Sequence, residues 1–254
     1  MDLIINKEFG VLRLSFNRAA KRNALNIELA QALTQALEDA DNDDAVRVIV
    51  LESEQDVFCA GADMEEMKKT PDELDDALQS LFETLARTRK PIIAAVLGPT
   101  VGEGVAILLY ADIVLAAKEA VFAFPSTALA KIPRFGLVQW GARCANPRLF
   151  TQKILLSEPM TAQEALEMGL VTAVTERDAM ADALARHASR LAVLPPKAVQ
   201  ATRSLLRREF ISAVNRSAAE DNLLYAEISD SSEAREALAA FLEGRAPVFV
   251  SAPN

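Results

Sequence analysis

Phe58-Cys59-Ala60-Gly61-Ala62-Asp63-Met64 follows the apolar run from Val46 to Leu51 and precedes Glu65-Glu66-Met67. That order predicts a buried strand, a turn of small residues and the opening of a helix. Asp63 stands at the N-cap, and Glu65 and Glu66 lie in a first turn where negative charge suits the helix dipole. A turn of this kind points backbone N–H groups at whatever lies in front of it, a geometry that suits a developing negative oxygen.

A second arrangement of the same kind follows. Ile92 to Leu97 is a buried apolar run broken by Gly98-Pro99, and Gly102-Glu103-Gly104 stands ahead of a helical stretch through Tyr110. Two strand-to-helix turns built from small residues permit close backbone approach, and two converging N–H groups can hold an oxygen that becomes an oxyanion or enolate.

Around these turns the chain alternates. Leu3 to Asn6 and Val11 to Phe16 are spaced as a hairpin, and Asn26 caps a helix carrying Leu29, Leu33 and Leu37. Thr70-Pro71-Asp72-Glu73 combines a capping box with proline at the first helical position, ahead of the stripe Leu74, Leu78, Leu81, Phe82 and Leu85. Ile113 to Ala116 and Ala120 to Phe124 read as further strands. Thr161-Ala162-Gln163-Glu164 is another capping box, and Gly169 ends its helix. The pattern is α/β up to about Val174. Pro195-Pro196 marks a boundary, giving an α/β core over 1–194 and a helical C-terminal segment over 195–254.

Composition excludes several functions. With 254 residues, 51% of them hydrophobic, there is material for a large core, yet no apolar run approaches the ~20 residues of a membrane helix. The first residues lack a basic segment followed by a long apolar one, so no secretory signal and a cytoplasmic location are expected. Cys59 and Cys144 are too few for a disulfide framework or a cysteine metal cluster, and a net charge of −9 argues against a nucleic-acid surface. The single histidine, His187, lies beside the apolar face of an amphipathic helix, which leaves His-activated nucleophiles and multi-histidine metal sites without material. No metal is expected, so the chemistry falls to backbone donors, carboxylates, Lys, Arg, Tyr or water.

The residues resemble the crotonase, or enoyl-CoA hydratase/isomerase, superfamily along nearly the whole chain. The matching stretches are Asn17-Arg18, Asn23-Ala24-Leu25-Asn26, Phe58 to Met64, Lys90 to Val96, Ala111-Asp112-Ile113, Thr161 to Ala165, Gly169-Leu170-Val171 and Phe241-Leu242-Glu243-Gly244-Arg245. The resemblance implies an α/β fold, a crotonase-like ββα spiral core with a C-terminal helical oligomerisation segment. It also implies a homotrimer, or a hexamer made of two trimers. An acyl-CoA thioester is the implied ligand, with coenzyme A entering as part of the substrate and no separate cofactor. The implied activity is that of a lyase or isomerase on acyl-CoA thioesters.

Carried over by position, the resemblance makes the backbone N–H groups of Ala60 and Glu103 the oxyanion hole. It places Lys21, Arg22, Ala62, Asp63 and Met64 around the nucleotide and phosphate end of CoA, with Phe241 and Arg245 arriving from a neighbouring subunit. Gly244 stands where a lysine is frequent. The two hydratase glutamates correspond to Ala106 and Ser126, and the usual isomerase glutamate to Arg134 after Pro133. Neither Ala nor Ser can act as a carboxylate, so ordinary hydration is expected to be feeble. Arg134 either binds an anionic part of the substrate or faces solvent. Glu103 either bends into the acyl pocket as an acid or base or leans away from it. Two readings of function remain: an acyl-CoA enzyme with nonstandard acid/base groups, or a noncatalytic acyl-CoA-binding or assembly member.

Overall fold

The computed structural model describes residues 1–249, so positions 250–254 of the expected C-terminal segment lie outside the described residues. The chain opens with β1 (Leu3–Glu8) and β2 (Val11–Phe16), then α1 (Ile27–Asn42), β3 (Val48–Ser53), α2 (Met64–Lys69), α3 (Pro71–Arg87) and β4 (Ile92–Val96). Next come β5 (Thr100–Val101), α4 (Glu103–Leu108), β6 (Ile113–Ala117), β7 (Val121–Ala123), α5 (Leu137–Gly141) and α6 (Pro147–Leu155). The last elements are β8 (Met160–Thr161), α7 (Ala162–Met168), β9 (Ala173–Thr175), α8 (Met180–Ala192), α9 (Pro196–Ser229) and α10 (Ser232–Glu243).

One sheet runs in the order β1-β2-β3-β4-β6-β9, antiparallel at the opening hairpin and parallel thereafter. Parallel strands need both faces covered, which is why β3, β4 and β6 read as nearly unbroken apolar runs. Val48, Val50, Ile93, Ala95 and Leu115 pack with Met180, Leu184 and Ala188 of α8 on one face. Ile49, Leu51, Ile92, Ala94 and Val96 join the larger core with α1 and α3 on the other. A smaller sheet, β5-β7-β8, continues the winding, and an isolated bridge from Cys59 to Thr100 ties the small-residue turn to it.

Local chemistry at the helix ends mostly follows the sequence. Asn26 accepts from the Leu29 N–H, Thr161 and Glu164 form the reciprocal capping box, and Gly169 takes the left-handed C-cap at φ 84°. The box expected at Thr70 is not formed. Thr70 closes α2, its hydroxyl donating to the Glu66 carbonyl, so it has no side chain to offer α3, which relies on Pro71. His187 is structural, its Nδ1 2.8 Å from the Ala183 carbonyl one helical turn back.

Pro196 begins α9, a 34-residue helix of which only Arg203 is buried. Arg203 is pinned through Asp112 and the carbonyls of Thr88 and Tyr110, while Leu205, Leu206, Leu223 and Leu224 face outward. Among the described residues no helix is long and apolar enough to cross a membrane.

Candidate active site

The loop at 18–26 lies alongside the Phe58 to Met64 turn and locks it. Asn23, fully buried with φ 56°, donates its amide to Ser53 Oγ and to the carbonyls of Val57 and Phe58, while its side-chain oxygen accepts from the Arg18 N–H. Arg18 in turn bonds the Ala24 carbonyl and the Asp63 carboxylate. Asp63 spends its other oxygen on the N–H groups of Glu65 and Glu66, so it is the expected N-cap. Burial pushes its carboxyl up, but those hydrogen bonds and the Arg18 charge outweigh burial and hold it below the usual range.

The N–H expected to face the substrate, that of Ala60, is already bonded within the protein. The Ala60 N–H is consumed by the Arg22 carbonyl at 3.1 Å and that of Asp63 by the Leu25 carbonyl at 2.8 Å, while the Gly61 N–H points at the Cys59 sulfur. Between Ala60 and Asp63, the Ala62 N–H is the one that meets a side-chain oxygen at the cavity. Glu103 Oε2 accepts it at 2.8 Å. Gly61 makes this fit: at φ 88°, a Cβ there would sit 3.1 Å from both Glu103 Oε2 and the Val101 carbonyl. Gly104 allows the second turn to lie against the first, since its Cβ would fall 2.7 Å from Cys59 Cβ. Cys59 itself is sealed, burial pushing its thiol up to about 12, so it has no nucleophilic part to play.

The turns form one end of a cavity of about 120 Å³. Its wall includes Met64, Met67, Ala106, Phe124, Leu129 and Leu137, and Glu103 is the only carboxylate among the described lining residues. Glu103 therefore leans over the mouth of the turn rather than away to solvent. Lys131, Arg134 and Tyr225 complete the polar set. Arg134 does not face solvent: its guanidinium is 7% exposed, pairs with Asp75 and Asn222, and lies 4.0 Å from the centroid of the Tyr225 ring. Burial pushes the Tyr225 hydroxyl up and the Lys131 ammonium down from their usual ranges.

Residues 6–252 match the family model described as enoyl-CoA hydratase/isomerase. The chain belongs to the enoyl-CoA hydratase/isomerase family. It is 34% identical to the 2,3-dehydroadipyl-CoA hydratase of Escherichia coli K12, with 98% of each chain covered. It is 29% identical to that organism's 1,2-epoxyphenylacetyl-CoA isomerase, again over 98% of each. Among solved structures, an enoyl-CoA hydratase/isomerase from Pseudoalteromonas atlantica T6c superposes with a TM-score of 0.91 at 31% identity, covering 98% of this chain and 100% of that one.

Within this family fold the remaining expected positions fall as follows. Ala106 and Ser126 both line the cavity, and neither brings a charge to it. Phe241 reaches the rim of the cavity of its own chain, because α10 folds back against α2; it was expected from a neighbour. Arg245 is occupied with Glu236 and Glu243. Lys21 pairs with Glu65 at the surface, and Arg22 is exposed beside it at φ 51°. Lys131 and Tyr225 were missed. The sign for Lys131 was a lone charge inside the apolar stretch Leu129 to Pro133, whereas nothing in the sequence brings Tyr225 of α9 to this wall.

Proposed function

We propose that this family member is an acyl-CoA enzyme that stabilises a thioester enolate, with the backbone N–H groups of Ala62 and Glu103 as the oxyanion donors and the Glu103 side chain as the acid/base. One observation carries this reading: the Ala62 N–H already holds a negatively charged oxygen at 2.8 Å, at the end of a cavity with no other lining carboxylate among the described residues. In the step that follows, Glu103 takes a proton from the α or γ carbon. The C–H pair moves toward the thioester, and the carbonyl π pair settles on the oxygen held by the two N–H groups.

Hydration needs one group to activate water and one to protonate carbon, and Ala106 and Ser126 supply neither. A single carboxylate that returns its proton to a different carbon suits isomerisation better. Coenzyme A enters as part of the substrate; Arg22, Lys21 on release from Glu65, and the turn from Ala62 to Met64 flank its phosphates, with Phe241 beside the nucleotide. The outward leucines of α9 support assembly as a homotrimer or as two stacked trimers.

The noncatalytic binding reading has its own support, since a carboxylate already fills the donor that a substrate carbonyl would need. Titration with coenzyme A, followed by incubation with enoyl, malonyl-type and aromatic thioesters in D2O, separates the two. Exchange of α-protons or a new product supports the enzyme; binding with neither across the panel sinks it.

A further inference from the structure

Two opposite charges in the cavity stand apart. The Glu103 carboxylate rests on the Ala62 N–H, and the Lys131 ammonium has only the Met67 thioether as a hydrogen-bond partner. Among the described residues no carboxylate comes within 4.0 Å of Lys131. Arg134 is already paired with Asp75, which leaves Lys131 without a carboxylate partner in a cavity where Glu103 is the one lining carboxylate among the described residues. A desolvated ammonium on a thioether is poorly satisfied, because sulfur is a weak acceptor. The carboxylate is held away from it for a reason: without Glu103, the Ala62 N–H is an unpaired donor on an apolar wall. A thioester carbonyl bound at Ala62 removes that reason, since its oxygen takes over the N–H.

We propose that Glu103 has two seats, the Ala62 N–H in the empty site and the Lys131 ammonium in the loaded one, so that Lys131 positions the carboxylate inside the acyl cavity once a thioester carbonyl has displaced it. The inference rests on the acyl-CoA reading above. Lys131 is a positioning residue, acting on substrate only through Glu103. The same exchange explains how an oxyanion donor can be filled in the resting state and still serve: the carboxylate trades its bond to the Ala62 N–H for an ion pair with the ammonium already waiting in the wall.

Calorimetric titration of the intact chain with two stable probes tests this. One is an S-alkyl-CoA thioether, which lacks the acyl carbonyl beside sulfur; the other is the acyl-CoA analogue with methylene in place of the thioester sulfur, which keeps it. Lys131→Met, similar in length and unbranched, is expected to weaken the carbonyl probe about tenfold relative to the thioether, and Lys131→Arg to restore the wild-type ratio. Glu103→Gln is expected to tighten the carbonyl probe selectively and to abolish the selective effect of Lys131→Met in the double variant. If Lys131→Met shifts both probes alike, or neither, the two-seat arrangement is wrong while the acyl-CoA reading stands. If the wild type binds neither probe nor coenzyme A, the acyl-CoA reading falls and takes this inference with it.

Discussion

The carboxylate of Glu103 accepts the backbone N–H of Ala62 at 2.8 Å, although the two residues belong to different turns 41 positions apart. The contact lays the Glu103 side chain across the mouth of the first turn. Glu103→Gln is expected to lower α-proton exchange on a turned-over thioester by about 100-fold or more, the scale of a lost general base. Full exchange in that variant, followed by NMR in D2O, would show that another group carries the proton.

Lys131 places an ammonium in a mostly apolar wall, so its presence should oppose folding. Lys131→Met is expected to stabilise the protein by about 1 kcal/mol in urea melts at neutral pH, because it removes a desolvated charge. Loss of stability would mean that the ammonium is better satisfied than its single thioether contact implies.

Gly104 sits where two backbones touch. A Cβ there would meet the Cys59 Cβ at 2.7 Å and the Cys59 carbonyl at 2.8 Å, and neither can rotate away. Gly104→Ala is expected to cost about 2 kcal/mol, in the range of overpacked cores, and to weaken coenzyme A binding by shifting the turns apart. An unchanged denaturation midpoint would count against that close approach.

Asn23 satisfies three carbonyl or hydroxyl oxygens and one N–H from a fully buried position. Asn23→Ala leaves the Phe58 carbonyl and the Arg18 N–H unpaired, while Ser53 Oγ and the Val57 carbonyl keep their bond to each other, with an expected loss of about 2–3 kcal/mol measured by chemical denaturation.

Asp63 gives the fold an acid limit. Its carboxyl is held below the ordinary value of 3.8, so the stability it contributes is present above that value and lost as pH falls through the depressed one. Between about pH 5 and pH 2 the wild type should lose stability more steeply than Asp63→Asn, which keeps an acceptor for the helix N–H groups but no charge for Arg18. Parallel curves for the two proteins would reject this assignment.

The residue order alone determined a great deal. Unbroken apolar runs at β3, β4 and β6 demand a sheet buried on both faces, and Asn26, Asp63 and Thr161 have the chemistry to start helices wherever they stand. The two glycine-bearing turns and the motifs around them pointed to the family, because such close approaches restrict which residues fit. The site itself needed the tertiary structure. Whether the Ala60, Ala62 or Asp63 N–H can face the cavity depends on the 18–26 loop, whose carbonyls take those of Ala60 and Asp63, while that of Ala62 meets Glu103. Glu103, Lys131, Arg134 and Tyr225 come from three separate segments, and no local spacing records that α9 crosses this wall. Short-range propensities act within a few residues and are legible in order. Hydrogen-bond competition and desolvation act between segments that meet only when the chain is folded.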